Sequence, residues 1–331
     1  MQAGDLTRAS LDRLLVAAER LGVPRARLAT ALPPADEERV ALLDYCRLGQ
    51  SAISLSGRGD LGLEIASVTG PTHLGFSGLA VISAPTLGEA LTLLTRYEPL
   101  SVRSYRGQSR WIPSENKLSF YSVAPYNTYS RFIVDAMLAL WCRVIVDCVG
   151  ADALREVHIE FAAPDYHARY PDLFPCPVLF ACDENAVVLR GNAASRPLLT
   201  HEPTLHAELV AICEKNLRQL DNESLFRARV QKVLGPMLSG NTPALEDVAG
   251  ALGMASWTLR RKLRDEGTSF QELLDEMRRD LALAYMKDMG LSLGEVAYIL
   301  GFSTPGAFQR AFKRWTGATP GGYRRSLRRD S

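Results

Sequence analysis

"LGEVAYILGFSTPGAFQRAFKRWTG", residues 293–317, opens with Leu293, Val296, Ala297 and Leu300 at positions i, i+3, i+4 and i+7, then stops on Gly301. That spacing lays four apolar side chains along one face of a two-turn helix, and a glycine directly after them suits the left-handed residue that ends one. The same pattern stands 48 residues earlier in "LEDVAGALG", residues 245–253. Ser292 with Glu295 forms an S-x-x-E capping box before the second copy, and Thr242 with Pro243 is the start signal expected for the first. A short helix and a tight turn therefore occur twice.

A second helix follows each glycine. In the first copy Leu259 and Leu263 are one turn apart and face inward, so Arg261 lies about 200° round the helix, with Trp257 one turn before it. In the second copy Phe308 and Phe312 take the inward positions, Arg310 stands in the place of Arg261, Gln309 in that of Arg260, and Gly306 in that of Trp257. A guanidinium opposite an apolar anchor pair, on the helix that follows a helix-turn, is sized for a DNA major groove. Between the copies, Phe270, Leu273, Leu274, Met277, Leu281 and Ala284 recur at helical spacing, which predicts a long helix holding the two units at a fixed separation. Such a spacer lets both reading helices enter successive major grooves, about 34 Å apart.

The chemistry of the side chains sorts the contacts expected on DNA. Arg261 and Arg310 can bond guanine in bidentate fashion, and Trp257 can pack on a thymine methyl; Arg260, Arg264, Lys313 and Arg314 suit phosphates, while Thr258, Gly306 and Gln309 complete the surface. Pro305-Gly306 offers no side-chain donor, so readout by the second unit rests on Arg310 and Gln309 or gives way to phosphate contact.

These residues resemble the AraC/XylS family of bacterial transcriptional regulators. The resemblance is carried by "LSLGEVAYILGFSTPGAFQRAFKRWTGATPGGYR", residues 291–324, including Gly301-Phe302, Phe308, Arg310, Phe312, Lys313, Gly317, Pro320 and Tyr323. It extends over roughly 225–328. The N-terminal half is similar to the arabinose-binding-like sensor domain of one large subgroup, most clearly in "ISAPTLGEALTLLTRYEPL" and "FPCPVLFACDENAVVLRG". The resemblance implies an α+β N-terminal sensor domain, followed by an all-α C-terminal domain with two helix-turn-helix units joined by a long helix. It implies a small-molecule effector, double-stranded promoter DNA and RNA polymerase as partners, and a homodimer.

The rest of the sequence agrees with two domains, expected at 1–220 and 225–331. A chain of 331 residues with 47% hydrophobic and 23% charged residues has a globular composition and is long for one domain. Lysine plus arginine (38) nearly balances aspartate plus glutamate (37), but after Leu300 six arginines and one lysine face Asp330 alone. The six cysteines show no C-x-x-C pair, which points to reduced thiols and a cytoplasmic protein. The N-terminus, with Asp5, Arg8, Asp12 and Arg13, has no secretory pattern. "RFIVDAMLALWCRVIVDCVG" is apolar, yet Arg131, Asp135, Arg143 and Asp147 share one stripe, the mark of a core helix with a wet edge and not of a membrane span.

Helices are expected over residues 5 to about 50 and after Thr86, which with Glu89 forms a capping signal; a hairpin is expected from "SVRSYRGQSRW" to "LSFYSVA", further strands at "EVHIEFA" and "PVLFACDENAVVLRG", and a linker at 221–224. "GRGDLG", residues 57–62, fits G-x-G-x-x-G without a strand before it, and "GFSGL", residues 75–79, lacks the second glycine of a nucleophile elbow. No Cys/His grouping has metal-ligand spacing, with His201 and His206 five apart, and no cofactor is expected. Cys142 and Cys148 suit small apolar packers, and Arg103, Arg106, Arg110 and Trp111 an exposed hairpin face. No catalytic constellation stands out, so an enzyme is not expected. The rival readings are an N-terminal enzyme domain under control of the DNA-binding half, and a constitutive DNA-binding protein whose N-terminal half only dimerises.

Overall fold

The computed structural model describes residues 4–34, 37–104, 107–122, 131–223, 226–238, 242–287 and 291–329. The chain forms two compact bodies that divide between Asp221 and Asn222. The N-terminal body holds two sheets. β1 (Gly4–Thr7) lies between β2 (Arg39–Ala41) and β3 (Val102–Ser104), antiparallel to both. The second sheet has the order β4-β5-β8-β6-β7, from β4 (Gly107–Ile112), β5 (Lys117–Ser122), β6 (Leu154–Ile159), β7 (Val178–Phe180) and β8 (Asn185–Leu189); only β6 and β7 run parallel.

Helices α1 (Arg8–Arg20), α2 (Leu42–Ser56), α3 (Leu61–Ser67), α4 (Phe76–Ile82), α5 (Leu87–Ser101) and α6 (Arg131–Val149) cover these sheets. α7 (Pro203–Glu223) ends the body. Leu11, Leu14, Leu15 and Ala18 of α1 are all buried, as their spacing predicts. The hydroxyl of Thr86 accepts the Glu89 amide hydrogen at the start of α5. α7 is fastened by Glu214, whose two carboxylate oxygens accept from Arg96 at 2.6 and 2.9 Å. His201 and His206 both bond Ser83, at its carbonyl and hydroxyl, and their rings meet edge to face.

Five sequence expectations are corrected. The segment 5–50 is not wholly helical: β1 and β2 form there by pairing with distant chain. The hairpin starts at Gly107, because Val102–Ser104 joins the other sheet; Arg103 there grips Asp5 with two bonds, at 2.8 and 2.6 Å, and does not lie on the hairpin face. Trp111 packs against the core while Arg110 is exposed, and Arg106 lies outside the described residues. The linker expected at 221–224 is helical through Glu223; Ser224 lies outside the described residues. Finally, Asp135 is no wet edge. It is fully buried, accepting from Tyr166 Oη at 2.8 Å and Tyr170 Oη at 2.6 Å, whereas Arg143 and Asp147 do form an exposed pair.

The C-terminal body is all helical: α8 (Phe226–Met237), α9 (Leu245–Ala251), α10 (Ser256–Asp265), α11 (Phe270–Lys287), α12 (Leu293–Ile299), α13 (Pro305–Thr316) and α14 (Pro320–Arg329). Among the described residues no helix is long and apolar enough to cross a membrane.

Candidate functional site

The repeat is a repeat of structure. After α9 the Met254 amide bonds the Ala249 carbonyl at 3.0 Å; after α12 the Phe302 amide bonds the Ala297 carbonyl at 2.9 Å. These six-to-one closures are Schellman turns, and each needs a left-handed residue before the closing amide. Gly253 (φ 66°) and Gly301 (φ 70°) supply it. A Cβ on Gly253 would meet nothing within 4 Å, so backbone conformation and not crowding requires glycine there.

The second turn is one residue longer, and the extra residue matters. It brings Thr304 to the N-cap of α13, where its hydroxyl accepts the Ala307 amide, and Pro305 follows at the first helical position as expected. Ser292 and Glu295 form the full capping box of α12, and those bonds hold the Glu295 carboxyl below its usual range. The first unit has neither device. Its N-caps are Ala244 and Ala255, without side-chain bonds. Thr242, expected to start α9, instead donates to the Gly301 carbonyl of the other unit at 2.8 Å. Ala255 already has extended N-cap geometry (φ −73°, ψ 148°), so Ala255→Ser should stabilise the C-terminal domain by about 1 kcal/mol, raising its melting temperature by roughly 4–8 °C. Thr304→Ala should lower it by a similar amount. Calorimetry of both variants checks the pair, and no rise in Ala255→Ser would mean the α10 terminus is satisfied by other means.

The reading faces follow the predicted wheel. Leu259 and Leu263 of α10, and Phe308 and Phe312 of α13, are fully buried. Phe308 packs against Phe302 and Phe312, with ring centroids 5.6 Å apart in both pairs, and Phe312 against Tyr323 at 5.5 Å. Opposite these anchors Arg260, Arg261, Arg264, Gly306, Gln309, Arg310 and Lys313 are exposed, with Thr258 partly so. Trp257 is 64% exposed, a cost without a folding benefit unless a partner covers it. The Arg261 guanidinium lies 5.3 Å from the Trp257 ring centroid, and Arg310 Nη1 sits 3.7 Å from where a Gly306 Cβ would be. Both arginines thus lean back over the residue one turn before them, on an indole in one unit and on bare backbone in the other.

Arg260, Arg261, Arg264, Arg310 and Lys313 have no carboxylate within ion-pair distance among the described residues, whereas other cations of the domain do. Arg314 departs from expectation. Its guanidinium bonds Asp275 of α11 at 2.7 Å, which ties α13 to the long helix and takes it out of the free set.

Arg278 of α11 has no place in the sequence reading. It is 6% exposed; its Nε donates to the Leu300 carbonyl at 2.9 Å, and its Nη2 to the Gly301 carbonyl at 2.9 Å and the Thr242 hydroxyl at 2.6 Å. Its guanidinium stacks over Phe302 at 4.7 Å, and burial pulls its pKa below the ordinary arginine value. The signal was present: Arg278 falls four residues after Leu274 and three before Leu281, a charge on the apolar stripe.

The N-terminal body contains a cavity of about 160 Å³, lined mainly by apolar side chains including Leu6, Tyr45, Ile65, Leu94, Met137 and Trp141. The apolar lining comes partly from α6, which turns one face to the core and offers Ile133, Met137 and Leu140 to the void. No group of three potential metal ligands occurs among the described residues.

An α+β domain with an internal cavity, joined to a pair of helix-turn-helix units with unpaired cations, is the build of a DNA-binding regulator. Comparison with known proteins gives the same class. Residues 17–198 match the family described as the arabinose-binding domain of AraC transcription regulator, and residues 248–326 match a helix-turn-helix domain family. The chain belongs to the AraC family of DNA-binding transcriptional regulators. It is 30% identical over 288 residues to the ornithine utilization regulator of Pseudomonas aeruginosa, covering 86% of this chain and 84% of that protein. It is 25% identical to the regulator VqsM of the same species, over 90% of this chain and 93% of that one. Among solved structures it is similar to the regulator CdpR from Pseudomonas aeruginosa, at 25% identity and TM-score 0.44, covering 93% of this chain and 98% of that chain.

Proposed function

We propose that the chain is a cytoplasmic, ligand-responsive regulator in which residues 1–220 sense a small molecule and form a homodimer, while residues 225–331 dock both helix-turn-helix units into successive major grooves of promoter DNA. The observation that carries this reading is the equivalence of α10 and α13. Each buries an apolar pair and exposes unneutralised cations on the opposite face. Five such cations would release counterions on meeting phosphates, and Arg261 and Arg310 sit where base edges would be. Arg314 keeps only a positioning role through Asp275, so phosphate contact falls to Arg260, Arg264 and Lys313. Thr258, Gly306 and Gln309 line the approach, and the lack of a side chain at Gly306 leaves Arg310 unobstructed.

The protein acts on RNA polymerase at the promoter and performs no chemistry of its own. Its effector must bind one arrangement of the domains more tightly than the other, since only differential affinity shifts an equilibrium. Footprinting on sites recovered by genome-wide binding tests the docking: two protected major-groove segments per protomer are expected, one helical turn apart, and a single protected groove would overturn it. Arg261→Ala should weaken binding to the cognate site by about 1–3 kcal/mol and relax base preference at one position of the footprint. Arg264→Ala should instead weaken all sequences alike and flatten the salt dependence.

A further inference from the structure

The cavity of the N-terminal body has a head end that its family name does not suggest. Arg13 of α1 and His73 of the turn Pro71–Leu74 both line it, with Arg13 Nη1 3.4 Å from His73 Nε2. His73 Nδ1 lies 2.8 Å from the Gly70 amide nitrogen and 3.3 Å from the Gly70 carbonyl oxygen, so the turn can hold the ring in either tautomer. In the tautomer in which Nδ1 accepts from the amide, Nε2 carries the ring proton and is a donor at the cavity. Arg13 has no carboxylate within ion-pair distance among the described residues, and in that tautomer His73 Nε2 stands beside it as a second donor.

Several other polar groups of the wall are already engaged. Thr69 donates to the Ile65 carbonyl at 2.6 Å, Ser77 to the Leu74 carbonyl at 2.7 Å, and Tyr97 to Glu214 at 2.9 Å. Glu98 has both oxygens bonded by Ser109, to its hydroxyl and its amide. A sugar, with a hydroxyl on almost every carbon, would find few free partners here and would leave its hydroxyls unsatisfied against hydrocarbon.

We infer that the cavity takes a small molecule with an apolar body and one carboxylate, the body against Ile65, Met137 and Trp141 and the carboxylate between Arg13 and His73. Both side chains reach solvent, so the charged head stays at the mouth and only the apolar part is buried. The volume, about 160 Å³, is of the order of the ~150 Å³ apolar cavity known to hold benzene. The inference deepens the sensing role proposed above and rests on it for its biological meaning.

Titration calorimetry of the full-length protein with hexanoate, octanoate and 3-phenylpropanoate, each beside its primary amide, and with L-arabinose, tests this. At least one acid should bind ten or more times tighter than its amide. Arg13→Gln should abolish that preference with the melting temperature and amide binding unchanged, and Ala136→Phe, which fills the void from α6, should weaken acid and amide together. Among the described residues Arg13 bonds only His73, so Arg13→Gln keeps the test decisive even where Ala136→Phe does not fold. Equal binding of acid and amide, a preference that survives Arg13→Gln, binding of arabinose alone, or no binding by any acid would each overturn the inference. DNA affinity measured with the bound acid separates the two claims: tight, Arg13-dependent binding without any change in DNA affinity would sustain the site and sink the ligand-responsive reading.

Discussion

Replacing Arg278 by alanine is expected to destabilise the C-terminal domain by about 3–5 kcal/mol and to weaken DNA binding in step. The guanidinium joins three things: the carbonyls that end α12, the Thr242 hydroxyl before α9, and the face of Phe302. Alanine removes charge-assisted bonds of about 1.5–3 kcal/mol each, takes the side-chain donor from the Leu300 carbonyl, leaves the Gly301 carbonyl with Thr242 in place of two donors, and opens a void beside Phe302. Arg278→Lys should recover only part, because an ammonium cannot hold the flat fork that reaches both carbonyls while stacking on a ring. Arg278→Met should fall between, restoring the packing of the stem without its donors. Urea unfolding followed by hydrogen exchange at Phe302 measures the effect. A loss below about 1 kcal/mol for alanine would mean that the second turn is held by the aromatic cluster alone.

The second large effect is a dependence on pH in the N-terminal domain. Burial pushes the Asp135 carboxyl up from 3.8 to about 7, against the lowering pull of the Tyr170 and Tyr166 hydroxyls and of Arg131; nearby Asp60 adds to the rise. The folded state therefore keeps a proton that the unfolded chain loses near pH 4. Stability is greatest below that value, falls as pH rises from about 4 to about 7, and levels off above, with an amplitude on the order of 4 kcal/mol from this one group. Asp135→Asn is nearly isosteric and keeps a partner for each tyrosine, so it should remove the slope and leave the variant more stable than the parent at pH 7.5. Thermal unfolding of parent and variant at pH 5 and pH 7.5 checks this. Parallel behaviour of the two proteins would show that Asp135 is not the titrating group. Tyr166→Phe should move the carboxyl further up, since it deletes one of the two donors that favour the anion.

Much of the DNA-binding domain was legible in the sequence, and for a local reason. The positions of Leu245, Val248 and Ala249, of Val296, Ala297 and Leu300, and of the anchor pairs Leu259/Leu263 and Phe308/Phe312 all follow from a period of 3.6 residues. A guanidinium two residues from an anchor must then point outward, as Arg261 and Arg310 do. Glycine at 253 and 301 was equally local, since a Schellman turn constrains one backbone angle. Spacing says which face a side chain is on; it does not say what stands across from it.

That limit explains each correction. Arg314 was correctly on the exposed side, yet Asp275 comes from another helix 39 residues away and neutralises it. Thr242 had the composition of an N-cap but found a better acceptor in Gly301, 59 residues on. Asp135 was in the right stripe of the right helix, but Tyr166 and Tyr170 arrive from a distant segment and close over it. The strand β1 escaped notice because a four-residue strand is made by its partners, here β2 and β3, more than by its own propensity.

The sequence by itself determined the class of the protein, the two repeated units and the outward direction of their cations, because helix faces and left-handed turns are properties of neighbouring residues. Only the tertiary structure decided which of those cations stay free, that Arg278 clasps the second turn, and that Arg13 and His73 meet at one cavity. Those outcomes depend on chain segments that meet in space after long separation, and no local period records such meetings.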